Sequence, residues 1–274
     1  SKKAKDKIAG QKKEIEKQHL HLEEQHKEIK DSITYAERLQ TAMLPPVALF
    51  NELLPENFLL FKPKDVVSGD FYWLEQKHGV TLFAAADCTG HGVPGAMVSV
   101  ICNNALNRCV REYNLNDPGK ILDKTREIVI QEFEKSNEEV KDGMDISLCG
   151  LMNKTLYWAG ANNPRWIVRN GEVIEQKADK QPSGKQTNAV PFTSHKIHLE
   201  KWDTIYFFSD CFADQFGGPK GKKYKSLTLK NFLLSIQELK MTEQKKMLNT
   251  EFENWQGDLE QVDDVCVIGV RIWN

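Results

Sequence analysis

Hydrophobic positions recur with two different periods along this chain, and the change of period falls near residue 43. Before that point, apolar residues stand at every seventh position among Lys, Glu, Gln and His, which keeps one stripe on one side of a supercoiled helix. The stripe consists of Ile8, Ile15, Leu22, Ile29, Ala36 and Met43. Because the column three residues further on is mostly Gln and Ser, we expect a weak coiled coil over residues 1–43, acting as a parallel dimer or a signalling linker. A solvated helix with an accidental stripe is the alternative.

Pro45 and Pro46 end this helix, because proline lacks the backbone N–H and clashes with the preceding turn. Short apolar or alternating runs follow, and they predict strands over 58–63, 71–76, 80–87, 145–152, 155–161, 164–176, 203–210 and 265–272. The pair Asn170-Gly171 tolerates positive φ at both positions and predicts a tight hairpin inside the sixth run. Helical spacing predicts helices over 94–113 and 118–137, and two more within 228–254. Segregated helices and strands indicate an α+β fold with antiparallel sheets, which we assign to a single domain over residues 44–274.

Composition narrows the classes of partner. The chain has 274 residues, with 37 Lys and Arg against 39 Asp and Glu, so no global charge favours nucleic acid or an anionic membrane. Its six cysteines form no C-x-x-C pair, as is usual in a reducing compartment. No apolar stretch approaches the roughly 20 residues that span a bilayer. We therefore expect no direct membrane insertion and a cytoplasmic location, although the chain could be the cytoplasmic part of a larger, anchored protein.

Aspartates stand where predicted strands begin or end. Asp70 and the pair Asp263-Asp264 precede strands, whereas Asp87 and Asp210 end them. Each residue alone is best explained as a turn or helix cap. If these strand ends meet in space, however, like-charge repulsion requires neutralising cations, and oxygen ligands favour Mg²⁺ or Mn²⁺ over zinc. Such cations can activate a bridging water for in-line attack on a phosphoryl group.

Six motifs carry a resemblance to a known family. The stretches "SGDFYW", "ADCTGHGVPGAMVS", "DGMDISLC", "AGANNP", "FFSDCFADQFGG" and "DDVCVIGV", in this order, resemble the metal-dependent type-2C (PPM) serine/threonine phosphatases, in the bacterial branch typified by SpoIIE and RsbU. The resemblance covers roughly residues 40–272. It implies a four-layer α-β-β-α sandwich of two antiparallel sheets flanked by helices, preceded by an N-terminal linker helix. It also implies two Mn²⁺ or Mg²⁺ ions, with a third as a further option.

Metal ligands follow from the resemblance residue by residue. Asp70 and Asp87 match the family's bridging and first-site carboxylates, and the backbone carbonyl of Cys88 matches a carbonyl ligand. Asp210 and Asp263 match the second-site carboxylates. The four aspartates would therefore act in catalysis through the metals that they hold.

Other positions stay open at this stage. Asp264, next to Asp263, is expected to support the ligands rather than to bind metal first. Asp142 is a candidate for an additional metal or for substrate handling, and a strand cap explains it equally well. At Cys211 the family usually has glycine. If that glycine is needed for positive φ or close approach, Cys211 would strain the second metal site.

The arginine that orients the phosphate in some family members has no clear counterpart here. Lys62 and Lys64 lie upstream of Asp70, but each is better explained as a strand-surface residue. His91 is better explained as a turn residue than as a general acid. Sequence alone does not decide whether Asn162 and Asn163 form a turn or touch the substrate. The basic loop over 217–225 either steers an acidic phosphoprotein or is an ordinary solvated loop.

These observations predict a metal-dependent phosphatase that hydrolyses phosphoserine or phosphothreonine on a bacterial signalling protein and is regulated through the N-terminal helix. The resemblance implies a partner of the anti-sigma-factor-antagonist type. It also implies a homodimer through the N-terminal helix and an upstream sensor that is missing from this chain. One alternative is a pseudophosphatase that has lost metal through Cys211 and acts as a binding module. Another is a coiled-coil adaptor.

Overall fold

The N-terminal region is one long helix, α1 (Lys2–Met43). The structure, a computed structural model, describes residues 2–54, 56–135 and 142–273. Pro45 and Pro46 separate α1 from the next helix, as predicted. The heptad residues of α1 project into solvent, with Ile8, Ile15, Leu22 and Ile29 each more than 60% exposed. The apolar stripe is therefore exposed on α1, and the coiled coil stays a prediction.

The remaining elements follow in chain order. The helices are α2 (Val47–Leu53), α3 (Gly92–Arg111), α4 (Pro118–Glu134), α5 (Cys211–Asp214), α6 (Ser226–Ser235) and α7 (Met241–Gln256). The strands are β1 (Asn57–Lys62), β2 (Asp70–Lys77), β3 (Val80–Cys88), β4 (Gly143–Met152), β5 (Thr155–Ala161), β6 (Arg165–Arg169), β7 (Glu172–Gln176), β8 (Ser183–Gly184), β9 (His195–His198), β10 (Thr204–Phe208), β11 (Phe216–Gly217), β12 (Lys222–Lys223) and β13 (Val265–Arg271). Within the described residues, no helix is both long and apolar enough to cross a membrane.

Two large antiparallel sheets form the centre of the fold. One has the strand order β1-β13-β10-β6-β7, and the other has the order β2-β3-β4-β5-β9, with β8 paired to β4. Strands β11 and β12 form a separate two-stranded hairpin. The predicted turn at Asn170-Gly171 joins β6 to β7, and both residues have positive φ.

Three hydrophobic layers hold the sheets and helices together. Strands β2 to β5 pack one face on α3 and α4 through side chains such as Trp73 and Leu106. The facing surfaces of the two sheets enclose Phe83, Trp158 and Phe207. The outer face of the other sheet packs on α6 and α7. Each fully buried side chain of this size contributes about 1.5–3 kcal/mol to stability. Both faces of each sheet are buried against another layer. The predicted four-layer α-β-β-α sandwich is confirmed.

Most predicted elements are confirmed, with ends that differ by a few residues. Helix α3 begins at Gly92 rather than at residue 94, and α4 ends at Glu134; residues 136 and 137 of the predicted helix lie outside the described residues. Asp117 caps α4 by accepting a hydrogen bond from the Lys120 N–H at 3.0 Å. The short elements α2, α5, β8, β9, β11 and β12 were not predicted, because two to seven residues carry too little periodicity to stand out.

Candidate metal centre

Three carboxylates stand side by side across neighbouring strands. Asp70 in β2 is directly opposite Asp87 in β3, and Asp87 is directly opposite Asp145 in β4. Residues opposite one another on antiparallel strands point to the same face of the sheet. That face lies between the two sheets, because Tyr72 and Ala85, two residues away from Asp70 and Asp87, belong to the inter-sheet core. The strand register thus places the three carboxylates in one row at the edge of the sandwich.

A two-residue hairpin fixes this register. His78 and Gly79 join β2 to β3 with φ values of 49° and 76°, and Lys77 pairs with Val80. Positive φ at both turn positions matches the twist of the flanking strands and is typical of a type I′ turn. The position of Asp70 opposite Asp87 therefore follows from the turn.

The other sheet brings two further carboxylates to the row. Asp210 follows β10 at the start of α5, and Asp263 precedes β13. Desolvation, and after it the negative charges of Asp210, Asp145 and Asp263, raise the pKa of Asp87 to about 8. The pKa of Asp210 is also raised, first by desolvation of its carboxyl group and then by Asp214 and Asp263. The strand ends that the sequence predicted to meet do come together.

Asp70 is the most constrained carboxylate of the group. Its side chain is buried, and its Oδ2 has no hydrogen-bond partner among the described residues. Burial raises its pKa well above the usual value, with Asp87 as the next largest cause. The Asp70 and Asp87 carboxyl groups lie within hydrogen-bonding reach of each other, as do those of Asp87 and Asp210. Burial and the neighbouring negative charge thus both favour the protonated form of Asp70.

Asp264 has a different setting, because backbone donors satisfy both of its oxygens. Its Oδ1 accepts a hydrogen bond from the Lys64 N–H at 2.8 Å, and its Oδ2 accepts one from the Gly69 N–H at 2.7 Å. The Asp70 N–H lies 3.4 Å from the same Oδ2. Asp264 therefore ties the loop ahead of β2 to the start of β13, and it positions Asp70 rather than facing the row itself.

The glycine-rich turn after β3 approaches this loop closely. Any Cβ added at Gly69 or at Gly95 would collide with the Gly90 carbonyl oxygen. The Cys88 carbonyl oxygen lies 3.3 Å from the position of a Cβ at Gly69. The glycines thus let the Cys88 carbonyl, the predicted backbone ligand, lie at the same edge as Asp70 and Asp87.

Cys211 is accommodated without strain. It is the first residue of α5 and is not among the described residues with positive φ, so this position does not require glycine. Its buried thiol donates a hydrogen bond to the Asp263 carbonyl oxygen at 3.0 Å. The sequence-level concern that Cys211 strains the site is not supported.

Asp145 is the site residue that the sequence analysis missed. The motif "DGMD" pointed to Asp142, whereas the register places Asp145 beside Asp87. Desolvation raises the pKa of Asp145, and the Asn162 side chain donates a hydrogen bond to its Oδ1 at 2.8 Å. The sequence did contain one indication of this role, because Asp145 is the first residue of a run that was predicted as a strand.

The remaining candidates lie in ordinary surroundings. His91 Nδ1 lies 3.2 Å from Asp65 Oδ2, and both side chains are about half exposed. Lys62 contacts Asn249 and Glu253 on α7. Lys223, in the basic loop, lies 2.9 Å from Asp214 and lowers the pKa of Asp210 by its charge. Of these groups, only the basic loop acts on the carboxylate row.

The donor set fits a hard divalent cation. The row offers carboxylate and carbonyl oxygens, an unpartnered buried oxygen on Asp70, and negative charges that disfavour one another. In the part of the chain that the structure describes, no three His, Cys, Asp or Glu side chains already form a group that could hold a metal ion. A bound cation would neutralise these mutually repelling charges.

Comparisons with known proteins identify the family and the fold. The sequence model for stage II sporulation protein E (SpoIIE) matches residues 77–273. The SiaA-PP2C domain of Pseudomonas aeruginosa superposes with a TM-score of 0.82 at 29% identity, covering 90% of this chain and 98% of that chain. No curated protein sequence matches the chain at a significant level.

Two more distant structures share the fold. The PP2C phosphatase domain of SpoIIE from Bacillus subtilis, solved with a fragment of its regulatory domain, gives a TM-score of 0.63 at 20% identity, covering 79% of this chain and 63% of that one. The RsbU and RsbW domains of a Mycobacterium tuberculosis protein give 0.60 at 15% identity, covering 80% and 61%.

Proposed function

The chain belongs to the SpoIIE family of PPM protein serine/threonine phosphatases, and from that premise we propose that it hydrolyses phosphoserine or phosphothreonine on a bacterial signalling protein with the help of divalent cations. The observation that carries this proposal is the row Asp70, Asp87 and Asp145, with a buried, unpartnered oxygen on Asp70. A fold that only binds a partner gains nothing from carboxylates that repel one another.

Asp70, Asp87, Asp210 and Asp263, with the Cys88 carbonyl, would hold two Mn²⁺ or Mg²⁺ ions. When bound, the ions would lower the pKa of a water molecule and neutralise the oxygens of the phosphoryl group. Asp145 is our candidate for supporting a further ion, in preference to Asp142 and Asp264. Asp264 would hold the loop before Asp70 in place.

Substrate approach would be favoured by the basic loop over 217–225. Lys223 already acts electrostatically on Asp210, so a negatively charged phosphoprotein is attracted towards the same edge. By family likeness the partner is a regulatory protein of the anti-sigma-factor-antagonist type. The six cysteines are all free and buried, which supports a reducing, cytoplasmic setting.

Regulation through α1 has a physical route. The Gln40 side chain is buried, and its Nε2 donates hydrogen bonds to the Ser68 carbonyl oxygen at 2.5 Å and to the Ser99 Oγ at 3.0 Å. Its Oε1 accepts a hydrogen bond from the Ser68 N–H at 2.9 Å. Ser68 lies two residues before Asp70, so a shift of α1 against α3 would move a ligand of the proposed metals.

We further propose that residues 1–43 are a linker that dimerises through the exposed heptad stripe and transmits a signal from an upstream sensor to a phosphatase domain over residues 44–274. Two packings of such a half-polar seam can differ by only a few kcal/mol. The pseudophosphatase alternative has no support from Cys211, which is accommodated without strain.

The decisive experiment is hydrolysis of p-nitrophenyl phosphate against Mn²⁺ concentration. We expect activity to rise with Mn²⁺ and to fall by about a hundredfold or more in Asp87→Asn and Asp210→Asn, since metals supply several kcal/mol to this chemistry. Asp31→Asn, which changes an exposed carboxylate on α1, is the matched control. Activity without added metal in chelator, or full activity in Asp87→Asn, would contradict the proposal.

The regulatory part has a separate test. Removing residues 1–32 deletes most of the stripe and keeps Gln40, whereas Gln40→Ala keeps the stripe and removes the contact to Ser68. We expect the truncation to abolish dimerisation in sedimentation experiments, and Gln40→Ala to raise the Mn²⁺ concentration needed for half-maximal activity. A dimer that survives the truncation would rule out the stripe as the interface.

A further inference from the structure

The outer edge of β1 is an unpartnered sheet edge. Strand β1 is the terminal strand of its sheet and pairs on one side only, with β13. A groove of about 470 Å³ runs along its other side, between α2 and α7. The backbone of Phe58, Leu59 and Leu60 lies in the wall of this groove.

The hydrogen-bond pattern shows which backbone groups are free. The Arg271 N–H donates to the Glu56 carbonyl oxygen at 2.8 Å, so these two residues form a hydrogen-bonded pair. Such pairs alternate along an antiparallel ladder. Hence Phe58 and Leu60 use their N–H and C=O groups on β13, whereas Leu59 directs both groups into the groove.

An open strand edge invites a further strand, and proteins usually block it with charge, proline or a covering element. Here β1 has no proline, and its lysine, Lys62, stands at its end and bonds to α7. The helices flank the groove rather than cover it, since Val47 of α2 and Lys245 and Lys246 of α7 form its rims. A strand edge beside a helix is the geometry of β-augmentation.

Charge indicates the class of occupant. Lys245 and Lys246 are exposed, neither forms an ion pair among the described residues, and no acidic residue lines the groove. Its polar lining is otherwise amide and hydroxyl groups, such as Asn249 and Thr242. This combination suits an extended segment with acidic side chains.

We propose that the groove beside β1 binds an extended acidic segment of a partner protein, which adds as a strand to the free edge of β1 while its carboxylates pair with Lys245 and Lys246. The strand leads directly to the carboxylate row, because β1 ends at Lys62 and the Lys64 N–H bonds to Asp264. A docked partner is therefore held on the strand that feeds the loop before Asp70. Binding at this groove does not depend on the phosphatase reaction.

The test measures binding of a synthetic strand to the full chain by fluorescence anisotropy. The probe is a labelled, capped heptapeptide of alternating Glu and Val, and the buffer contains EDTA so that its carboxylates do not bridge to metal. We expect saturable binding that weakens by about tenfold in the double variant Lys245→Glu, Lys246→Glu, because two exposed charge pairs become repulsive. The matched control is Lys12→Glu, Lys13→Glu, which reverses two exposed neighbouring lysines on α1 and should leave the affinity unchanged.

Two N-methylated peptides separate strand pairing from charge alone. One is methylated at alternate residues and the other at the intervening residues, so only one of them loses the N–H groups that face β1. We expect one peptide to lose binding and the other to keep it, and a Lys-Val peptide not to bind. Equal binding of both methylated peptides overturns the proposal, as does an affinity unaffected by the α7 double variant. Retained phosphatase activity in that variant shows that it is folded.

Discussion

The two ends of β10 hold buried carboxylates in opposite electrostatic settings. At its start, Asp203 is almost fully buried, and Arg169 donates to both of its oxygens at 2.9 and 2.5 Å. The Glu200 N–H donates to the same carboxylate at 2.8 Å. At the other end of β10, no arginine among the described residues pairs with Asp70 or Asp210, and neighbouring carboxylates raise the pKa values of both.

The comparison distinguishes a buried carboxylate that stabilises the fold from one that is suited to bind a cation. Asp203 is neutralised by a cation that the chain itself supplies, so its burial is compensated during folding. Asp70 is equally buried with an unpartnered oxygen, and its compensation has to come from outside. The same residue type therefore stabilises one end of the strand and destabilises the other until a cation binds.

The largest expected effect is the loss of phosphatase activity when the carboxylate row is changed. Asp70→Asn should lower Mn²⁺-dependent phosphatase activity by about a thousandfold, because a bridging ligand of the proposed cations is lost. The same variant should unfold at a higher temperature than the parent in EDTA, since one repelling charge is gone. A lower melting temperature in EDTA would show that Asp70 is stabilised within the chain, contrary to the comparison.

A change at Asp203, before β10, should have the opposite effect: it should lower stability and leave activity unchanged. Asp203→Asn leaves Arg169 with only the more exposed Glu200 as a charge partner, and we expect a loss of about 3 kcal/mol in unfolding free energy. Urea unfolding measures this loss. Activity per folded molecule should stay at the parent's level, and a large loss of activity under fully folding conditions would couple the two ends.

A smaller effect is expected in the pH dependence of the metal-free protein. The pKa of Asp87 is raised from 3.8 to about 8 on folding, so between these values the folded state keeps a proton that the unfolded state has lost. Stability should therefore be full below about pH 4, fall as the pH rises towards 8, and be restored at pH 8 by Mn²⁺. The slope is at most about 1.4 kcal/mol per pH unit for one group.

Thermal unfolding in EDTA from pH 5 to 8 measures this dependence, with Asp87→Asn as the reference that lacks the titrating group. Parallel pH profiles for the parent and Asp87→Asn would show that Asp87 ionises normally in the folded chain.

The smallest effect is expected at Cys211. Cys211→Gly removes a buried thiol and places glycine in a helix, which should cost about 1 kcal/mol of stability. Activity should stay within the same order of magnitude, because the site does not require positive φ there. A strong gain of Mn²⁺-dependent turnover would instead revive the interpretation that Cys211 impairs the second metal site.

Sequence patterns predicted the large elements well, because long periodic runs report the burial of whole faces. The hairpin at Asn170-Gly171 followed from turn chemistry, whereas the meeting of Asp70, Asp87 and Asp210 at one edge was implied by the resemblance to the PPM family. Asp145 was missed because its role depends on the register between β3 and β4, and their connection contains two helices, α3 and α4. No local pattern sets a register across such a connection.

The contact of Gln40 with Ser68 also could not be predicted. It joins residues from α1 and the loop before β2, and a glutamine on a polar helix looks like a surface residue. Asp264 was expected to support the proposed ligands, but its three backbone donors were visible only once the loop before β2 was placed.

The His78-Gly79 turn has a consequence for how the length of this chain can change. Side chains alternate between the two faces of a strand, so inserting or deleting a single residue within β2 would turn Asp70 from the space between the sheets to the side of α3. Two residues could be added without that inversion. Length variants of this hairpin that keep activity should therefore differ by an even number of residues. The turn thus limits insertions and deletions close to the carboxylate row to even lengths.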